Sequence, residues 1–117
     1  MNKYKILLVD DDEVVLSDLG QVLEDEGYDL VKAKSVEKAI ELLEKDTFDL
    51  VITDLVMEGV DGFAVVKKIK DLSPETTTII LTGYKDTDFI IDAFRIGVDN
   101  YMLKPAETED ILFKVRR

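Results

Sequence analysis

Cysteine and histidine are both absent from this chain. Without cysteine there are no disulfides and no thiolate metal sites, and without histidine the usual general base and zinc ligand are missing. Any metal or phosphoryl chemistry therefore falls to carboxylates, hydroxyls and amines. Positive charge is scarce as well: 15 Lys and Arg face 26 Asp and Glu, a net charge of −11 at pH 7. Nucleic-acid affinity comes mostly from neutralising phosphates, which argues against nucleic-acid binding through this chain and in favour of a cationic partner or a metal ion. No apolar run reaches transmembrane length, and Met1-Asn2-Lys3-Tyr4-Lys5 has no long apolar stretch behind its lysines. The expectation is a cytoplasmic protein with no membrane contact. Low-complexity tracts and linkers are missing too.

What is present is 46% apolar content in 117 residues, enough for one core and too little for two domains. Residues 1–117 are therefore read as a single domain. Lys114-Val115-Arg116-Arg117 ends the chain inside a helical pattern, which favours the N-terminal part of a longer protein. Short, β-branched-rich runs at Lys5–Val9, Asp29–Ala33, Leu50–Thr53, Thr78–Thr82 and Asn100–Leu103 read as strands. Helical spacing fills the gaps. Val15, Leu19, Val22 and Leu23 make one stripe; Val36, Ala39, Ile40 and Leu43 a second; Phe63, Val66, Ile69 and Leu72 a third. Phe89, Ile90, Ala93 and Phe94 make a fourth, and Ile111, Leu112 and Val115 a fifth. Gly27 and Gly97 fall where helices should stop, Ser35 and Asp61 where they should start, and Ser73-Pro74 breaks the third helix. The result is (βα)₅, a parallel five-stranded sheet covered by helices on both faces.

Polar residues cluster at the strand ends. The first strand runs into Asp10, Asp11, Asp12 and Glu13, the third into Asp54, the fourth ends in Thr82 and the fifth is followed by Lys104-Pro105. Parallel strands share the side on which their carboxyl ends emerge, so these groups gather at one sheet edge. Acids, a hydroxyl and an amine in one pocket suit a divalent cation and a phosphoryl group. Asp12 and Glu13 read instead as an acidic cap on the first helix. Asp10 and Asp11 exceed what capping needs, because one side chain suffices and a second apposed acid is repulsive without a cation. Met57 reads as loop packing, and Lys67, Lys68 and Lys70 as a solvated helix face.

This constellation resembles the receiver domain of two-component response regulators, over nearly the whole chain. The resemblance includes the loop Asp54-Leu55-Val56-Met57-Glu58-Gly59-Val60-Asp61-Gly62 and Tyr101, three residues before Lys104. It implies a flavodoxin-like, doubly wound sheet of order 2-1-3-4-5. It further implies Asp54 as phosphoacceptor, with the donor phosphohistidine supplied by a sensor histidine kinase or a phosphotransfer protein. Mg²⁺, or Mn²⁺ in its place, would be held by Asp10, Asp11, Asp54 and the backbone carbonyl of Val56. Lys104 and Thr82 would neutralise the phosphoryl oxygens. Thr82 and Tyr101 would form a switch, and the face made by the fourth helix, fifth strand and fifth helix a homodimer contact. Pro105 resembles the family's cis-peptide that turns the lysine inward. The domain would act on nothing but its own phosphorylation and dephosphorylation.

Departures from the family's pattern also carry expectations. Glu58 stands where proline is usual, and Ala106 where many relatives have a bulky aromatic. Val56 and Tyr84 occupy positions that tune the lifetime of the phosphorylated form, and as apolar and aromatic groups they predict a long one. Gly83 leaves room beside Thr82. Two other classes compete. A phosphatase resembling the haloacid dehalogenase superfamily would use Asp10 as nucleophile within Asp10-Asp11-Asp12, with Thr82 and Lys104; it leaves Asp54 idle and has little sequence for a substrate cap. A flavin-binding flavodoxin-like protein would need a hydroxyl-rich phosphate loop where this chain has four acids.

Overall fold

The computed structural model describes residues 4–57, 60–83, 87–105 and 107–116. Expectations placed on Glu58, Gly59, Tyr84, Ala106 and Arg117 lie outside the described residues, as do the side chains of Val56, Met57, Asp61 and Phe89. Strands β1 (Lys5–Val9), β2 (Asp29–Ala33), β3 (Leu50–Thr53), β4 (Thr77–Thr82) and β5 (Asn100–Leu103) form one sheet of order β2-β1-β3-β4-β5. All four pairings are parallel, with Ile6 opposite Leu30 and Leu50, and Ile80 opposite Thr53 and Tyr101. The helices that follow these strands are α1 (Glu13–Asp25), α2 (Val36–Lys45), α3 (Phe63–Leu72), α4 (Thr87–Arg95) and α5 (Thr108–Arg116). The expected (βα)₅ architecture is present, with β4 beginning one residue early at Thr77. Among the described residues, no helix is long and apolar enough to cross a membrane.

Side chains alternate across a strand, so each strand feeds two cores. Ile6, Leu8, Ile52 and Leu81 meet Leu16, Leu19 and Leu23 of α1 and Ile111 and Val115 of α5. Leu7, Val9 and Val51 meet Val36, Ala39 and Leu43 of α2 and Val65 and Ile69 of α3. Ile80 packs with Leu55, Val66, Ala93 and Val98. Burial on both faces is why the central strands β1, β3 and β4 are nearly continuous buried runs, whereas the edge strands β2 and β5 keep exposed positions such as Asp29, Lys32 and Leu103. The helical stripes are shifted in detail. Helix α1 buries Leu16, which the expected stripe omitted, while Leu72 and Phe94 are exposed. Helix α3 packs on a face centred on Val65, Val66 and Ile69, and Leu72, in its last position, falls to one side of it.

Helix ends follow local chemistry. Asp12 caps α1, its Oδ1 accepting the Val14 N–H at 2.9 Å, and Ser35 caps α2, its Oγ accepting the Lys38 N–H at 3.1 Å. Each such cap stabilises by about 1 kcal/mol. Gly27 and Gly97 have φ of 90° and 104°, and in both the next residue's N–H reaches back to the helix, from Tyr28 to Leu23 and from Val98 to Ala93. This closure needs a left-handed residue, which glycine adopts at low cost. One start differs from expectation. Val56–Met57 pairs antiparallel with Val60–Asp61, so Asp61 is taken up by this short ladder and Gly62 becomes the N-cap of α3, with no side-chain cap bond.

Candidate functional site

Three site residues lie just beyond strand ends, and each is still tied to the neighbouring strand through its backbone. The Asp10 N–H donates to the Ala33 carbonyl at 3.1 Å, the Asp54 N–H to Val9 at 3.0 Å, and the Lys104 N–H to Thr82 at 2.9 Å. The sheet therefore fixes the heights of two acids and an amine that are 44 and 50 residues apart in sequence. Lys104 Nζ lies 2.7 Å from Asp54 Oδ2 and 2.8 Å from Asp10 Oδ2, bridging the two. The Lys104-Pro105 peptide is cis, as the resemblance implied.

Burial sets the electrostatics. Asp10 is 0% exposed and Asp54 5%, both beneath a quarter-exposed Lys104. Asp10 Oδ1 accepts the Asp12 N–H at 3.0 Å. Its Oδ2 makes the ion pair with Lys104 and, among the described residues, accepts no other hydrogen bond. Burial pushes the Asp10 carboxyl above its ordinary value; Lys104 and the Asp12 N–H oppose this, and the Asp54 charge adds to it. For Lys104, burial alone would lower the ammonium's pKa, but the Asp10 and Asp54 carboxylates outweigh it and the net direction is up. Lys104 thus stays charged at neutral pH.

Oxygens of Asp10, Asp11 and Asp54 all lie within 4.8 Å of one another. The donor set is all oxygen, which suits a hard cation such as Mg²⁺, and Asp10 Oδ2, buried and ion-paired with Lys104, is a further acceptor such an ion would engage. Val56, whose carbonyl was the fourth expected ligand, sits in the short ladder two residues beyond Asp54. Thr82 is buried at the end of β4, and among the described residues other than its chain neighbours nothing lies within 4 Å of where a Cβ on Gly83 would be. Tyr101 is half-buried in mid-β5 and outside the acidic cluster. Its carbonyl accepts from Lys114 Nζ at 2.9 Å, and its ring meets Phe94 edge-on at 6.1 Å. Asp12 and Glu13 are structural, Asp12 as the cap and Glu13 in an ion pair with Lys34. Thr53 and Gly62, which touch the Asp54 backbone, were not among the expected site residues. The signal available for Gly62 was a glycine closing the loop that begins at Asp54.

The model of the response regulator receiver domain matches residues 6–116. The chain belongs to this family. Receiver domains bind Mg²⁺ at an acidic pocket, and this chain carries an acidic cluster at Asp10, Asp11 and Asp54. A CheY-like receiver domain protein from Methanospirillum hungatei superposes with a TM-score of 0.94 at 30% identity, covering 98% of this chain and 92% of that one. A response regulator from Burkholderia pseudomallei, solved with a phosphorylated aspartic acid, calcium ion and citrate, has a TM-score of 0.88 at 32% identity, covering 95% and 65%. A cyclic di-GMP phosphodiesterase from Thermotoga maritima is 32% identical over 110 residues, 94% of this receiver and 29% of that protein. The receiver spans less than a third of the curated relatives it matches. It is a signalling domain of response regulators, a class that interacts with kinases and phosphotransfer proteins, and nothing favours the phosphatase alternative.

Proposed function

We propose that this receiver accepts a phosphoryl group on Asp54 from the phosphohistidine of a sensor histidine kinase or phosphotransfer protein. The observation that carries the proposal is the Lys104 ammonium bridging Asp54 and Asp10 at 2.7 and 2.8 Å above a three-carboxylate cluster. An Asp54 carboxylate oxygen attacks phosphorus in line; the P–N bond breaks, its electron pair leaves with the imidazole, and an acyl phosphate forms. Such transfer asks mainly for positioning and for neutralised equatorial oxygens. Lys104 supplies a mobile positive charge beside the acceptor oxygen, and Thr82 a hydroxyl donor. Asp10, Asp11, Asp54 and the Val56 carbonyl would hold Mg²⁺, or Mn²⁺, which when bound adds charge neutralisation. The Burkholderia relative, with its phosphorylated aspartic acid and a divalent ion, supports this assignment by analogy. The domain's chemistry is limited to its own phosphorylation and dephosphorylation. We place this activity in the cytoplasm, within residues 1–117 as one receiver domain of a longer response regulator.

Output runs through Thr82 and Tyr101. Phosphorylated Asp54 draws the Thr82 hydroxyl toward it, and Tyr101 turns into the space vacated. The altered face comprises α4, β5 and α5, where Asp92 and Arg95 of α4 and Asp110 and Lys114 of α5 offer both signs of charge, as a twofold contact requires. Phosphorylation therefore promotes homodimerisation through this face. No nucleic acid or membrane is engaged by this domain, in keeping with its net charge of −11.

Two experiments test the proposal. Acetyl phosphate with Mg²⁺ labels the wild type and fails to label Asp54→Asn; labelling of the variant at the wild-type rate would overturn the assignment. In sedimentation, beryllofluoride with Mg²⁺ converts monomer to dimer. An unchanged monomer at high concentration would refute dimerisation, and a dimer insensitive to Arg95→Glu would move the contact elsewhere.

A further inference from the structure

Behind the Asp54 carboxylate, Thr53 and Gly62 meet the backbone that carries it. Thr53 is fully buried, and its hydroxyl donates to the Asp54 carbonyl at 2.9 Å. Gly62, at the foot of the short ladder, donates its N–H to the Leu55 carbonyl at 2.8 Å. A Cβ on Gly62 would lie 2.5 Å from the Asp54 carbonyl oxygen and 2.8 Å from Leu55 Cα. Both are backbone atoms at a strand end and cannot swing aside as a side-chain tip can. The Asp54 backbone is thus held by the Val9 carbonyl on its N–H and by the Thr53 hydroxyl on its oxygen, and that oxygen occupies the space a Cβ on Gly62 would need.

We infer that Thr53 and Gly62 are positioning residues for phosphoryl transfer: together they fix the peptide that carries Asp54, and with it the placement of its carboxylate against Lys104 and Asp10. The inference rests on Asp54 being the acceptor. Misplacing reacting atoms by ~1 Å costs on the order of a hundredfold in rate. Relieving a 2.5 Å contact to one above 3.0 Å displaces the Asp54–Leu55 peptide by roughly 0.5 Å or more. Gly62→Ala therefore slows labelling by on the order of tenfold or more. Thr53→Val keeps the side chain's shape but removes the hydroxyl from the Asp54 carbonyl, and slows labelling by about fivefold; Thr53→Ser keeps the donor and restores the rate.

The test measures acetyl phosphate labelling of the full chain across a Mg²⁺ series, with the folded fraction fixed by circular dichroism. Leu43→Ala, a core truncation on α2 on the far side of the Val51 cluster, serves as the stability control. The expected result is a lower maximal rate for Gly62→Ala and Thr53→Val, recovery with Thr53→Ser, and a wild-type rate for folded Leu43→Ala. Should Gly62→Ala not fold, the Thr53 pair decides. A wild-type rate in folded Thr53→Val, or slowing in Thr53→Ser equal to that in Thr53→Val, overturns the inference while leaving Asp54 as acceptor. A wild type that is never labelled on Asp54 overturns both.

Discussion

Replacing Lys104 by methionine keeps most of the side chain's length and removes the charge that bridges Asp10 and Asp54. Breaking a buried ion pair by removing one partner costs about 3–5 kcal/mol. Two features reduce that figure here: Lys104 is 24% exposed, and Asp10 is able to take up a proton because burial already raises its pKa. The expected loss in metal-free protein at neutral pH is about 2 kcal/mol, or roughly 8 °C in melting temperature for a domain of this size. The pH dependence has a definite sign. An acid whose pKa is raised in the folded state binds more protons folded than unfolded, so its penalty is absent below the ordinary carboxylate value and grows as pH rises through the raised value. Loss of Lys104 raises the Asp10 pKa further, so Lys104→Met approaches wild type in acid and falls away from it toward neutral pH. Mg²⁺ supplies the missing positive charge, and the variant gains more from it than wild type does. Urea melts in EDTA across a pH series, repeated with Mg²⁺, read all of this. A variant as stable as wild type at neutral pH without metal, or a deficit that does not shrink on acidification, would refute the reasoning.

Two further substitutions separate function from stability. Asp11→Ala removes one of three carboxylates whose oxygens lie within 4.8 Å; with Lys104 already offsetting part of the repulsion, it stabilises metal-free protein by about 1 kcal/mol. Thermal melts should then show almost no Mg²⁺ response in this variant, and a response equal to wild type would contradict the ligand assignment. Among the described residues, Thr78 Oγ1, near the start of β4, is buried without a hydrogen-bond partner. The near-isosteric Thr78→Val removes that unsatisfied hydroxyl and should raise stability by about 1 kcal/mol in denaturant melts without changing labelling; a loss of stability would show that the hydroxyl is satisfied in solution.

Much of this structure was legible because two signals are local. The central strands β1 and β3 are buried almost throughout and the edge strands β2 and β5 are short runs bounded by charge or turn residues, so the bounds of all four agree with the sequence reading to the residue. Caps declare themselves through one side chain or one glycine, as at Asp12, Ser35, Gly27 and Gly97. The gathering of Asp10, Asp54, Thr82 and Lys104 at one edge followed from parallel strands alone, whereas strand order and residue roles came through the family. What could not be read depends on tertiary geometry. A two-residue ladder such as Val56–Met57 with Val60–Asp61 has no period to detect. The ranking of Leu16 over Val22, and the exposure of Leu72, depend on the angle at which each helix meets the sheet. The fit of Gly62 against the Asp54 carbonyl, and the Thr53 hydroxyl beneath it, exist only once the loop has closed.

The central claim is that Asp54, and not its buried neighbour Asp10, carries the phosphoryl group. Treating the full chain with acetyl phosphate, reducing the acyl phosphate chemically and mapping the modified peptide by mass spectrometry tests it most directly. The account predicts Mg²⁺-dependent modification at Asp54 that EDTA abolishes. Modification at Asp10, or modification of Asp54 that proceeds equally well without a divalent ion, would contradict it.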